Sequence, residues 1–524
     1  MDIEMPCGNS DSCDQQLVMA ESSLLSDNNL PPPIMSIDSP KKAPNTLANQ
    51  IICGYQGWFA YPGDGGPINQ WEHWGFQHSA NAKTVKAEDL TVDLYPTVDE
   101  YDDEDLIETG IPMKEDPSSS SNNSFAKFYS ALKPNIVVKH FEWMSTYGIT
   151  GVFHMRFMEG LQDDKVREWK TTVLRNVKRA AEITGRTFSV SYNIAGHTID
   201  NTVLDDIKID WMRLVDEENI TQSDRYIRQG REEEEGRLLL PVLRIYGIGF
   251  KDVRVSDTSG MAELIDWFQN TAEEKYRVFL IGGVPSKWRT LVGDSREESS
   301  WKDIYDSLDG IHPWHVGRWR TIEHFDDYYS DTILPDAEYC NGKGILYMPT
   351  MWPGFSWYNL QNNRKHKQGE TASLLHRLGG FTWRRAIQHM PVLKIGRTIW
   401  MSQFGDAAKP EAPINAIPRL GGTFMWRQAF QYAANPNINT IWMAQFDEVD
   451  EGTAIFKVAA TEDDLPARGS WLSLGDDGQS LPSDWYLRLC GEAQKMLEGK
   501  ISLNAEIPIQ PFPVAGAELQ QTER

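Results

Sequence analysis

Eight short apolar runs, each bounded by turn residues, constrain this chain more than any other feature. They are IICGYQGWF (51–59), ITGVFHMRF (149–157), TFSVSYNI (187–194), LPVLRIYGI (240–248), VFLIGGV (278–284), LDGIHPWHV (308–316), GILYMPTM (344–351) and INTIWMAQF (438–446). Most are nearly continuous in apolar character, the pattern of parallel strands covered on both faces. Helical patterns separate several of them. In KTTVLRNVKRAAEITGR, Val173, Leu174, Val177, Ala181 and Ile183 recur near helical spacing, and Gly185 stands where a left-handed cap belongs. In SGMAELIDWFQNTAEEKY, Leu264, Ile265 and Phe268 share a face. Strand and helix alternating in this way predict an α/β fold: a (β/α)8 TIM barrel with long βα loops, ahead of a doubly wound open sheet. The gap of about 90 residues between the first two runs predicts a large excursion on the face where barrel enzymes place their sites.

Residues 1–46 are rich in Ser, Asp, Asn and Pro and read as a disordered leader. The barrel then spans 47–500, and 501–524 form a C-terminal tail, with SDWYLRLCGEAQKMLEG supplying the last helix. MKEDPSSSSNNSF (113–125) and DEENITQSDRYIRQGREEEEGR (216–237) read as mobile surface loops. RLGGFTWRR (377–385) is similar to RLGGTFMWRQ (419–428), and TIWMSQF (398–404) to TIWMAQF (440–446), a tandem duplication. A barrel needs one eighth strand, so 377–418 are expected to be an insertion whose deletion leaves the barrel folded.

The formal charge of −24 repels phosphate backbones and anionic lipid, so nucleic acid and membrane are not expected partners. The five cysteines (Cys7, Cys13, Cys53, Cys340, Cys490) are scattered without a CxxC pair and suggest neither a disulfide framework nor a zinc site. No signal-peptide-like run opens the sequence and no apolar stretch spans a bilayer, which points to the cytoplasm. Nothing indicates a cofactor, and the oligomeric state is open. Nineteen tryptophans suit packing for the most part, with some faces available for sugar rings.

The last apolar run leads directly into Asp447, Glu448, Asp450 and Glu451. Four carboxylates this close repel one another unless solvated, hydrogen-bonded or protonated. On spacing alone they read first as an ordinary acidic loop. Glu448 and Glu451 are three apart, however, and in a tight turn could face one cleft within roughly 5–8 Å, a separation glycosidic chemistry uses. One acid would keep its proton and the other would stay ionised. A calcium loop does not fit, because Val449 and Val458 fall where oxygen ligands are needed.

TIWMAQFDEVDEGTAIF resembles the signature of glycoside hydrolases related to families 71 and 99, whose last strand ends in Asn-Glu-x-x-Glu-Gly-Thr. GYQGWF (54–59), WEHWG (71–75), VDLYPTVDEYD (92–102), GGVPSKWR (282–289), MWPGFSW (351–357) and IPRLGG (417–422) resemble a branch often labelled xylosidase/arabinosidase. The resemblance covers residues 50–460 and implies cleavage of an oligo- or polysaccharide. Carried over, Glu451 becomes the general acid/base and Glu448 the base that deprotonates the sugar 2-hydroxyl. Asp447 replaces the family's Asn. Further candidates for substrate contact are Tyr55, Gln56 and Trp58 at the first strand's end, His73 and Trp74 in the long loop, and Arg156, Tyr192, Tyr246, His315 and Trp357. Arg156 reads equally as half of a structural ion pair. A carbohydrate-binding protein without turnover is the alternative.

Overall fold

The structure is a computed structural model that describes residues 42–76, 82–114, 124–195, 200–233, 236–363 and 412–512. Its strands are β1 (Gln50–Tyr55), β2 (Leu106–Pro112), β3 (Phe125–Tyr129), β4 (Gly151–Phe157), β5 (Thr187–Asn193), β6 (Arg228–Glu233), β7 (Gly236–Tyr246), β8 (Phe279–Val284), β9 (Gly310–Pro313), β10 (Leu346–Tyr347), β11 (Thr350–Met351) and β12 (Thr440–Met443). Its helices are α1 (Pro134–Tyr147), α2 (Asp164–Thr184), α3 (Val203–Asp216), α4 (Thr258–Asp266), α5 (Ser300–Asp306), α6 (Ile322–Tyr328), α7 (Leu334–Lys343), α8 (Thr423–Ala433) and α9 (Trp485–Leu497). Each of the eight apolar runs supplies a strand.

The main sheet runs β10-β9-β8-β7-β5-β4-β1-β12-β11, with parallel pairing throughout that path. β10 and β11 are two halves of one run. Leu346 pairs with Gly310 on one side, and Thr350 pairs with Trp442 on the other. Pro349 has no N–H to give, so the run breaks there and changes partner. The ladder thus returns to its own starting segment, and the fold is an α/β, TIM-barrel-like one.

Helices pack outside this sheet because their apolar stripes face it. In α2, Val173, Leu174, Val177 and Ala181 are buried, whereas Ile183 is half exposed. Asp163 caps its first turn by accepting from the Lys165 and Val166 amides, a contribution of about 1 kcal/mol. Gly185 ends it in the left-handed region at φ 69°. The tail helix α9 belongs to the same structure: Gln494 Oε1 accepts the Ile51 amide at 2.7 Å, tying the chain's end to β1.

Alternation decides what each strand shows to the interior. Arg244 of β7 is fully buried there. It donates to His312 Nδ1 at 2.7 Å and Ser191 Oγ at 2.8 Å, and lies 4.3 Å over the Trp442 ring. Burial pulls its pKa down to about 9 and holds His312 neutral, so His312 accepts at Nδ1 and gives its Nε2 proton to Thr350 Oγ1.

Two expectations are corrected. Of the segment expected to be a mobile loop at 216–237, the described residues 216–233 are ordered structure. It contains the end of α3, a 3-10 turn at Ile220–Gln222, and β6, which pairs antiparallel with β7. Ladder hydrogen bonds and the Arg231–Asp309 ion pair at 2.5 Å hold it where its low apolar content predicted nothing. At the leader's boundary, residues 42–46 dock: Ala43 N donates to Gly185 O at 2.8 Å and Arg228 N to Asn45 O at 2.7 Å. The serine-rich 115–123 and residues 1–41 lie outside the described residues. No helix among the described residues is long and apolar enough to cross a membrane.

The first repeat copy, 377–404, also lies outside them, but its attachment is visible. Asn362 and Ala412 exchange two hydrogen bonds of 3.1 Å, so the chain returns at 412 to where it leaves near 363. Residues 412–418 are not detachable. Ile417 bridges Phe355 through two 2.9 Å bonds, and the Asn415 amide donates to Ser356 Oγ. Deletion of 370–411, rather than 377–418, is therefore the cut expected to leave a soluble, cooperatively unfolding protein. Circular dichroism and thermal unfolding check it.

Candidate active site

β12 ends at Met443, and the acids that follow it are folded back against the end of β1. Asp447 is the anchor. Its two oxygens accept the Gln56 and Gly57 amides at 2.8 and 2.9 Å. Each oxygen takes one amide, so the side chain grips the backbone just past the end of β1. Burial raises Asp447 to about 7, against the pull of those two amides. It does not line the cavity described below.

The grip on β1 presents Gln56, whose Nε2 donates to Glu448 Oε1 at 2.8 Å, while Thr453 Oγ donates to Oε2 at 3.0 Å. Burial, then the charges of Glu451 and Asp450, hold Glu448 well above the usual carboxylate range; the Thr453 hydrogen bond opposes them.

Three outer contacts fix the loop. Arg419 donates to Gly452 O and Ala454 O at 2.8 and 2.7 Å and packs 4.6 Å over the Tyr486 ring. Gly452 takes φ 65°, and a Cβ there would stand 2.8 Å from Ser356 N. Asp93 accepts from Ser356 Oγ and from the Tyr358 and Asn359 amides at 2.5, 2.7 and 2.8 Å, and its own amide donates to Val449 O. Burial lifts Asp93 to about 6. The motifs VDLYP, PGFSW and IPRLGG thus meet as one brace behind the acidic turn.

Removing the Arg419 clamp in Arg419→Met leaves two buried carbonyls without donors, a cost of about 2–3 kcal/mol. The denaturation midpoint measures it.

A cavity of about 220 Å³ opens at the carboxyl ends of the strands. Glu448, Asp450 and Glu451 line it, with Gln56, Trp58, His73, Tyr246 and Trp357 from the sequence candidates. His73 stacks on Trp58 at 3.7 Å with rings 4° from parallel, and its Nδ1 meets Asp450 Oδ2 at 3.1 Å.

The other candidates lie elsewhere. Tyr55 turns outward and bonds His140 Nδ1 at 2.9 Å. Trp74 stacks on Phe128 at 4.1 Å within the long loop. Arg156 and Tyr192 both point away from the cavity to Asp210 of α3, Arg156 through bonds of 2.6 and 2.8 Å and Tyr192 through one of 2.8 Å. His315 is buried against Trp319 and Tyr328. Strand alternation explains the β-strand cases: the residues beside them, Gln56, Met155, Phe157 and Asn193, line the cavity instead. Period-two parity, applied strictly, would have found these. No local signal marks Gln70, Glu72, Trp169 or Lys170, which loops and α2 bring to the wall.

No family model matches the chain, and no curated protein matches it. Solved structures do. A glycoside hydrolase family 99 endo-α-mannosidase from Bacteroides thetaiotaomicron, in complex with BIS-TRIS-propane, aligns with a TM-score of 0.50 at 12% identity, over 87% of this chain and 99% of that one. A second structure of the family 99 enzyme from that organism gives 0.51 at 13%, over 87% and 100%. This chain has the fold of those family 99 enzymes along nearly their whole length.

Proposed function

We propose that this protein is a glycoside hydrolase that cleaves an oligo- or polysaccharide at the mouth of a closed (β/α)8 barrel. The observation that carries it is the opening of Glu448 and Glu451, three residues apart, into one cavity at the carboxyl ends of the parallel strands. Trp58, stacked with His73, and Trp357 line the same cavity and supply aromatic surface of the kind that packs on sugar rings. We assign the proton of the pair to Glu451 and the base's part to Glu448, as in the pattern that the acidic turn resembles. Glu451 then protonates the leaving oxygen, and Glu448 takes the proton of the sugar 2-hydroxyl, whose oxygen attacks the anomeric carbon. The fold neighbours are named as endo-α-mannosidases, so α-mannosides head the substrate panel, followed by xylosides and arabinosides. Release of reducing sugar by the wild type and its loss in Glu451→Gln is the expected result. Binding without release from any glycan, unchanged by the substitution, overturns it.

A further inference from the structure

The cavity has a second side that the acids do not form. Val166, Trp169 and Lys170, three and four apart on α2, line it from one face of that helix. Lys170 turns its ammonium to the carbonyls of Phe157 and Glu159 at 2.7 Å each. Those bonds tie the helix face to the end of β4, where Phe157 also lines the cavity. Ile68 of the long loop joins them. Gly66, two residues before it, lies close to Trp169: a Cβ there would stand 3.6 Å from the indole Cδ1. Ile68, Phe157 and Val166 are only partly buried, so their carbon surface is open. The Nε1 atoms of Trp58 and Trp169 are buried, so these two residues show the cavity ring carbon and no donor.

This wall adjoins the acids. Asp450 bonds His73, His73 stacks on Trp58, and Trp58 meets Phe157 at 5.3 Å, one row of contacts from the acidic turn to the apolar side. Branched aliphatic chains have no flat face for a sugar ring and no partner for its hydroxyls, and a hydroxyl pressed against them loses its water. Their surface favours an apolar group instead. Size selects which one. A dry cavity of about 150 Å³ lined by Leu, Ile and Phe holds benzene. At about 220 Å³ this one has room for one aromatic ring and part of a sugar, with the rest of a glycan outside. The rings of Trp58, Phe157 and Trp169 add the face and edge partners that an aromatic ring uses and an alkyl chain does not.

We propose that the cavity binds a sugar joined to an aromatic aglycone, the ring against Ile68, Phe157 and Val166 and the sugar at the glutamates. The sugar half rests on the glycosidase reading, whose substrate it narrows to glycans carrying an aryl group at the reducing end. The aryl half rests on the apolar wall.

Calorimetry with thioglycosides, whose sulfur linkage resists cleavage, measures binding apart from turnover. Phenyl, octyl and methyl 1-thioglycosides of mannose, xylose, arabinose and glucose are titrated into the full chain. For at least one sugar the phenyl form is expected to bind about tenfold or more tightly than the methyl form, and more tightly than the octyl form. Val166→Asn and Ile68→Asn, at partly exposed positions, are each expected to cut that advantage by about threefold or more. A smaller phenyl advantage for every sugar, octyl binding as tight as phenyl, or an advantage that survives both substitutions overturns the proposal. Glycan hydrolysis without a phenyl advantage keeps the glycosidase reading and removes this one; a phenyl advantage without hydrolysis of any glycan does the reverse. Should both variants fail to fold, the wild-type comparison decides alone.

Discussion

Glu451→Gln is expected to lower turnover by about 10²–10⁴-fold, the range lost when a positioned proton donor is removed. The amide keeps the shape of the side chain and takes away its proton, so binding of the intact glycan survives while kcat collapses. Glu448→Gln is expected to fall by a similar factor for a different reason. Its oxygens accept from Gln56 and Thr453, and an amide in that position presents N–H where Thr453 or Gln56 already donates. The two losses are expected not to add, because the proposed mechanism makes the glutamates one unit around one proton. Steady-state kinetics of the two single variants and the double variant, with an aryl glycoside of good leaving ability as comparison, test this. Such a leaving group needs little protonation, so it rescues Glu451→Gln and not Glu448→Gln. Equal rescue of both variants removes the division of roles.

Asp210→Ala is expected to be the most destabilising single change on the outer face of the barrel. Asp210 takes two of the three Arg156 side-chain bonds and the Tyr192 hydroxyl, and Arg156 is fully buried. Removing the acid leaves an uncompensated guanidinium between β4 and α3, at a cost of about 3–5 kcal/mol. Replacing both partners, Arg156→Met with Asp210→Leu, removes the charges together and should recover most of that loss.

The pH dependence carries a definite sign. Burial pushes Asp210 up, but the Arg156 charge and hydrogen bonds pull it below its ordinary value. A depressed carboxylate stabilises the fold above its unfolded pKa and loses that contribution as the pH falls through its folded pKa. The difference between wild type and Asp210→Ala therefore narrows below about pH 4. Urea denaturation at neutral and acid pH measures it. A constant difference at all pH values, or loss of substrate affinity without loss of stability, would make Arg156 a ligand contact after all.

The strands were legible because burial on both faces writes itself into composition: TFSVSYNI and VFLIGGV can be little else. The acidic turn was legible as a cluster, since four carboxylates in five residues need a special environment. What could not be read was direction. Tyr55 and Gln56, or Tyr192 and Asn193, are equally polar neighbours on one strand, and only the pleat decides which of each pair meets the cavity. The 216–237 segment misled for a related reason. Its stability comes from ladder bonds to β7 and from Arg231 reaching Asp309, a partner 78 residues away that no local pattern announces.

Sequence alone determined the alternation of strands and helices and the position of the acids after the last strand, because both follow from local periodicity and order along the chain. Tertiary structure alone decided that Asp447 is an anchor and Asp450 a wall. Their neighbours, the amides just past β1 and His73, come from segments more than 370 residues distant, and no local pattern could name them.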